Sequence, residues 1–200
     1  MIHFNNLYKI NKTQLPLATS VLIDAFSEAS AWDNIFSDKE KNNILTEIMV
    51  KFCYKYGSLL SISKQIEGVM AVVPHNKNMN VWTLLRSGAF FLSLKIANES
   101  KKFKILSDAI DDAKKDLQLK EYIHLLIMGV SRDHQGKGFG GKFITSLINQ
   151  SEKSELPIYL ETQKEENVTL YGKFGFTVKK EITLPNPLSL PMWLMVRDVK

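Results

Sequence analysis

Leu17, Val21, Leu22, Ala25 and Phe26 recur at the spacing of one helical face, and Thr13 stands where an N-cap is needed. Ile44, Leu45, Ile48, Met49 and Phe52 repeat the pattern in a second helix, capped by Ser37 or Asp38 and ended by Gly57. Cys53 lies on or beside that face with no basic neighbour, the setting of a buried structural thiol. The period then shortens. Residues 58–63 and 69–73 are β-like runs with a short connection, which predicts an antiparallel hairpin stopped by Pro74. Residues 80–120 read as helical, broken near Asn98-Glu99-Ser100, and the Lys- and Asp-studded second part reads as a solvated face.

The second half is more sharply patterned. Residues 122–130 form a continuous apolar run interrupted by His124, as in a buried strand. A polar, Gly-rich loop follows over 131–138. A helix over 139–150 then carries Phe143, Ile144, Leu147 and Ile148 on one face. Pro157 opens a strand over 158–162. Asn167 caps a short helix through Phe174, and Gly175 stops it. Residues 177–184 and 193–196 are two strands joined by a turn containing Pro185, Pro187 and Pro191. A helix-helix-hairpin start followed by β-α-β-α-β-β predicts a mixed α/β sheet in one domain, residues 1–200, with an extra helical segment at about 80–120.

The chemistry concentrates in Gln135-Gly136-Lys137-Gly138-Phe139-Gly140-Gly141-Lys142, with a strand leading in and a helix leading out. Such a loop presents backbone N–H groups at a positive helix end, a ready site for phosphate. Four glycines among six residues serve no single turn type. Three phosphate motifs compete. The P-loop spacing is present from Gly136 to Lys142, but Phe143 replaces the hydroxyl that would hold Mg²⁺. Gly136, Gly138 and Gly141 spell the dinucleotide fingerprint, with Glu161 at a following strand end. Against it, five residues separate Val130 from the first glycine, and too little chain follows for the usual half-sheets.

The third motif is the (Arg/Gln)-x-x-Gly-x-(Gly/Ala) loop, which Gln135 to Gly140 fits without departure. The lead-in, Leu126-Ile127-Met128-Gly129-Val130, resembles strand 4 of the GNAT acyltransferases; Arg132, in place of the usual proline region, is a minor departure. Asn167-Val168-Thr169-Leu170-Tyr171-Gly172-Lys173-Phe174-Gly175-Phe176 resembles that family's N-x-x-x-x-Y-x-(K/R)-x-G-F block. Two motifs in the right order, covering about residues 122–176, make the resemblance specific. Leu160-Glu161-Thr162 and the closing Trp193–Arg197 resemble, more weakly, the puromycin-acetyltransferase-like branch.

The resemblance implies the GNAT fold, a central mixed antiparallel and parallel sheet with splayed strands 4 and 5 flanked by helices. It also implies acetyl transfer from acetyl-CoA to an amine of a small-molecule or peptide acceptor. Gln135, Gly136, Lys137, Gly138, Phe139, Gly140, Gly141 and Lys142 would hold the pyrophosphate, with both lysines adding charge or simply solvated. Met128, Gly129 and Val130 would pair with the pantetheine arm, Gly129 allowing close approach or a bulge. Tyr171 occupies the family's general-acid position, or packs on the sheet. Asn167 bonds the cofactor, caps its helix, or both, and Lys173 approaches phosphate or is solvated. Glu161, Glu121 and His124 are the candidate bases for the acceptor ammonium, beside the alternatives of a core histidine, a structural glutamate and a water relay. Trp82, Leu85, Phe90 and Phe91 either wall the acceptor site or belong to the core.

Composition narrows the rest. The chain has 200 residues, 44% of them hydrophobic, enough for a core without staples. One cysteine excludes an intramolecular disulfide and a Cys-based zinc site, and the scattered His3, His75, His124 and His134 give a metal no support. The start lacks a signal-peptide pattern, and the apolar window 81–96 contains Arg86 and Lys95 and is too short to span a bilayer. The expectation is a cytoplasmic enzyme, monomer or homodimer, with no metal, membrane or nucleic-acid partner. The net charge of +5 reads as a bias toward an anionic cofactor, part of it at Arg132, Lys137 and Lys142. The alternatives are a catalytically silent acyl-CoA-binding sensor of the same fold and a dinucleotide-binding oxidoreductase.

Overall fold

The computed structural model describes residues 4, 6–27 and 38–200. His3 and the alternative cap Ser37 lie outside the described residues. The chain begins with a two-residue strand, β1 (Tyr8–Lys9), that periodicity cannot register. Asn11 then caps a single 3-10 turn, its Oδ1 accepting from the Thr13 N–H while Gln14 reaches back to the Asn11 N–H. Thr13 therefore donates to a cap instead of being one. The turn runs directly into α1 (Leu15–Ala25), with Pro16 tolerated in the first turn. Asp38 caps α2 (Lys39–Tyr56), accepting from Glu40 N–H at 2.9 Å.

The hairpin strands are β2 (Ser58–Ser61) and β3 (Gly68–Pro74), paired antiparallel as expected. The helical segment has one more break than its pattern predicts. It forms α3 (Val81–Ser87), α4 (Phe90–Lys95) and α5 (Ser100–Lys115). The unanticipated break is at Gly88, whose φ of 75° ends α3. Strand β4 (Ile123–Val130) leads through the loop to α6 (Phe139–Ser154), and β5 (Ile158–Thr162) leads to α7 (Glu165–Gly172). Asn167 sits inside α7 and does not cap it, because the helix starts at Glu165 with Lys164 as its N-cap, three residues earlier than a cap at Asn167 implies. Strands β6 (Thr177–Thr183) and β7 (Pro191–Arg197) close the chain.

The seven strands form one mixed sheet, ordered β1-β2-β3-β4-β5-β7-β6. Every pairing is antiparallel except β4 with β5. That parallel pairing lasts only two residues, Ile123 opposite Ile158 and His124 opposite Tyr159, after which the strands part. This is the expected splay. An open half-sheet of the dinucleotide-binding kind is not what the chain builds. One face of the sheet carries a core of Leu22, Val50, Phe52, Val69, Ala71 and Tyr159, covered by α1, α2 and α5. The other carries Leu60, Met70, Ile123, Phe143, Ile158 and Tyr171, covered by α6 and α7. Cys53 is fully buried in the first core, and burial pushes its thiol pKa up.

Candidate active site

The bulge expected at Gly129 lies at Leu126. The β3–β4 register steps from Val72–Leu125 to Ala71–Ile127, leaving Leu126 without an opposite residue. The bulge moves Met128 and Val130 to the α6–α7 core and turns Gly129 toward α1. A Cβ on Gly129 would stand 2.8 Å from Ala25 Cβ and 3.1 Å from Leu22 Cδ2. Gly129 thus serves the close approach of α1, not the bulge.

The bulge also changes which backbone groups face the cleft. Ser131 N–H donates to the Glu67 carbonyl on the β3 side at 3.0 Å. Alternation along the ladder therefore turns the backbone groups of Met128 and Val130 to the β5 side, where β5 has already departed. The Val130 carbonyl accepts from Gln135 Nε2 at 3.0 Å, so Gln135 closes its own loop.

The loop is fastened at its entrance. Arg132 donates from its backbone N–H and its Nε to Asp24 on α1, each at 2.8 Å. These contacts hold the Asp24 carboxyl below the usual range, and they engage Arg132 away from any phosphate. The single proton of the Ser131 hydroxyl goes to the Glu67 carbonyl, so His134 Nδ1 donates to Ser131 Oγ at 2.8 Å. Beyond this anchor, Gly136 and Gly138 have φ of 74° and 80°. A Cβ at Gly136, Gly138 or Gly140 would meet nothing within 4 Å. The requirement there is conformational, and the space in front of the loop is open. No side chain caps α6, which leaves the N–H groups of Phe139, Gly140 and Gly141 without intrahelical partners. This arrangement fits a phosphate ligand. Lys142 Nζ lies 5.1 Å from the centre of the Phe139 ring, while Lys137 and Lys173 are exposed and unpaired among the described residues.

A groove of about 500 Å³ shares Gly138, Gly141 and Lys142 with the loop, but its remaining lining comes from Asn6, Leu7, Ile62 and α6. No residue of β4 or β5 lines it, so it is not the cleft between them.

His124 and Glu161 meet at the narrow end of that cleft. His124 Nε2 lies 2.6 Å from Glu161 Oε2, and the two side chains are 13% and 14% exposed. Burial pushes the Glu161 carboxyl up, but the charge and hydrogen bond of His124, with the Lys114 charge, outweigh it and hold it below the ordinary carboxylate range. Tyr159 packs against His124 with ring centres 5.1 Å apart, and Tyr122 against Tyr159 at 5.3 Å. Lys114 of α5 lies over the Tyr159 ring at 5.4 Å. The buried Tyr159 hydroxyl forms no hydrogen bond, although it is near enough to Glu161 to favour the carboxylate. Sequence reasoning missed Tyr122, Tyr159 and Lys114. The tyrosines looked like strand residues, and Lys114 comes from a distant helix with no local signal.

Tyr171 lies on the opposite face. It is buried in the α6–α7 core beside Phe176, 5.4 Å between ring centres, and burial pushes its hydroxyl up to about 12. Asn167 Nδ2 donates to Thr162 Oγ1 at 3.1 Å, tying α7 to the end of β5. The alternative base Glu121 is exposed and precedes β4. Among the described residues no group of three or more His, Cys, Asp or Glu side chains could hold a metal ion. No described helix is long and apolar enough to cross a membrane.

A mixed sheet parted between β4 and β5, with a glycine loop running from β4 into a helix, defines the GNAT fold. Solved structures agree along nearly the whole chain. A histone acetyltransferase and related acetyltransferase from Corynebacterium glutamicum superposes with a TM-score of 0.62 at 16% identity, covering 98% of this chain and 96% of that one. The polyamine N-acetyltransferase of Drosophila melanogaster gives 0.60 at 12% identity, covering 96% and 99%. In sequence, an uncharacterised N-acetyltransferase of Schizosaccharomyces pombe is 28% identical over 194 residues, covering 90% of this chain and 78% of the relative. No protein-family model matches. The chain thus has the fold of the GNAT N-acetyltransferases and is similar in sequence to a protein named as an N-acetyltransferase.

Proposed function

We propose that the chain transfers the acetyl group of acetyl-CoA directly to an amine. The observation that carries this reading is the cleft. It opens where β5 leaves β4, exposes the backbone of Met128 and Val130, and leads into a loop with unpartnered N–H groups. In this reading Gln135 to Lys142 hold the pyrophosphate, chiefly through backbone N–H groups, with Lys137 and Lys142 adding charge. The pantetheine amides pair with Met128 and Val130 as an added strand would. Gly129 keeps α1 close behind that edge. Asn167 keeps α7 seated on β5, and Lys173 lies beyond it near the phosphates.

The acceptor nitrogen attacks the thioester carbonyl, a C–N bond forms and the C–S bond breaks. Tyr171 gives its proton to the departing thiolate. A hydroxyl with pKa near 12 is fully protonated at neutral pH, as an acid must be. The proton lost by the amine goes to neutral His124, and the Glu161 carboxylate 2.6 Å away stabilises the imidazolium that forms and favours a cationic acceptor. The polyamine acetyltransferase of similar fold acts on such amines and supports that class.

The test is an acceptor screen over amines that follows release of the CoA thiol. Tyr171→Phe should lower kcat by about 10²-fold or more at nearly unchanged acetyl-CoA affinity. Gly138→Glu should abolish acetyl-CoA binding. Full activity in both variants would overturn the assignment. Acetyl-CoA binding without thiol release on any amine would favour a silent binding module.

A further inference from the structure

We infer that the outer faces of α3 and α4 dock the protein on an anionic lipid surface. The two helices repeat one arrangement. Trp82, Leu85 and Arg86 stand at i, i+3 and i+4 on α3, and Phe91, Leu94 and Lys95 stand at the same offsets on α4. At 100° per residue each triplet occupies a single stripe, with the cation at its edge. The opposite sides of the helices carry Leu84 and Leu92, which pack on Ile48 of α2 together with Ala89 and Ile96. The inner faces are therefore satisfied, and the outer stripes are apolar by sequence choice.

Their exposure is large. Trp82 is 72% exposed, Phe91 77%, Leu85 50% and Leu94 55%, with Val81 at 64% beside them. Trp82, Leu85 and Phe91, expected in the core or around the acceptor, thus face outward. Arg86 and Lys95 are exposed and make no ion pair among the described residues. Residues 77–98, which include both helices, contain three basic residues, Lys77, Arg86 and Lys95, and no acidic one.

An outward-facing stripe of aromatic and leucine side chains edged by long cations matches a bilayer interface, where rings settle at headgroup depth and Lys or Arg meet anionic lipid. A second copy fits less well, because a twofold contact would set two faces of the same positive charge against each other. The contact is peripheral and leaves the chain outside the bilayer.

Flotation of the intact protein with vesicles tests this. At low ionic strength the protein should float with vesicles of phosphatidylcholine and phosphatidylserine, and not with phosphatidylcholine alone. Arg86→Gln and Lys95→Gln should each weaken binding by about fivefold. Trp82→Ser and Phe91→Ser should each weaken it by about tenfold or more. Lys104→Gln, whose parent side chain is paired with Asp108, should leave it nearly unchanged. Trp82→Phe should keep flotation while removing the blue shift of tryptophan fluorescence on binding. An unchanged thermal midpoint confirms that each variant is folded. Equal binding to both vesicle types overturns the inference, as does flotation indifferent to the triplets. So does a concentration-dependent dimer that the same substitutions dissolve.

Discussion

Gly129→Ala probes the packing that sets the β4 edge. The new methyl would stand 2.8 Å from Ala25 Cβ, 3.1 Å from Leu22 Cδ2 and 3.4 Å from Phe26 Cε2. Carbon atoms in contact prefer about 3.5–4.0 Å, so the gap to Ala25 is short by roughly 1 Å. Leu22 can swing its terminal methyl aside. Ala25 has no rotatable bond to use, so α1 itself must move. It cannot move freely, because Asp24 is held by Arg132 through two bonds of 2.8 Å. Overpacking of this kind costs about 1–3 kcal/mol. At roughly 2–4 °C per kcal/mol for a chain of this size, the thermal midpoint should fall by about 2–12 °C. Ala25→Gly removes the atom that is struck. Alone it should cost about 0.5–1 kcal/mol, since Ala25 is the last residue of α1. The double variant should be more stable than the sum of the two by about 1 kcal/mol or more. Thermal and urea unfolding of the four proteins measure this cycle. A Gly129→Ala midpoint within about 1 °C of the parent, or additive effects in the cycle, would refute the argument.

Two further outcomes follow from buried charge. Glu161 titrates below its ordinary value of 4.5 in the folded chain, so its stabilising contribution is complete above that pH and is lost as pH falls through the folded value. The stability gap between the parent and Glu161→Gln should therefore narrow between neutral pH and acid in urea titrations; a constant gap contradicts the assigned direction. Arg197 is buried, pairs with Glu152 at 2.7 Å and donates from Nε to the Phe174 carbonyl just after α7. Arg197→Ala should cost about 2–3 kcal/mol, less than a fully buried pair because Glu152 is partly solvated, and should raise the KM for acetyl-CoA as Phe174 loosens against Gly141.

Elements whose apolar pattern is sustained were legible from the order of residues alone: α1, α2, β3, β4 and α6 stand within a few residues of their patterns. Signals that depended on a partner elsewhere were not. Strand β1 is only two residues, fixed by pairing with Leu60 and Ser61. Gly88 looked like an ordinary helical residue because nothing local tells a left-handed stop from a tolerated glycine. Asn167 was read as a cap by type, but its amide is used across a loop to Thr162, and the helix starts before it. Gly129 was read as allowing close approach or a bulge because glycine is permissive; it serves a close approach, of α1, while register is a property of two strands and places the bulge at Leu126. The glycine loop itself was readable because its requirement is local: positive φ at Gly136 and Gly138 restricts the residue type wherever the rest of the chain goes. His124 and Glu161 were readable as candidate residues but not as a contacting pair. His124 and Glu161 are 37 positions apart, and only the parallel register of β4 and β5 brings them to 2.6 Å.

That register also separates the two ends of the proposed reaction. Successive residues of β5 point to opposite faces, so Leu160 meets the core that holds Tyr171, and Glu161 meets the face that holds His124. A continuous sheet would wall these faces off from each other. Here the wall ends after His124 and Tyr159, and the proposed mechanism has the thioester cross that gap with its sulfur on the Tyr171 side and its carbonyl carbon on the Glu161 side. In that proposal one proton is delivered on one face while another is removed on the other, so the acid and the base need not share a pocket or perturb each other. The burial that keeps Tyr171 protonated and the His124 contact that keeps Glu161 ionised are then compatible demands on opposite faces of one sheet. Extending the β4–β5 pairing would close this route while sparing both side chains. For that reason the Leu126 bulge, which turns the backbone of Met128 and Val130 into the gap, matters to the chemistry as much as the residues that carry the protons.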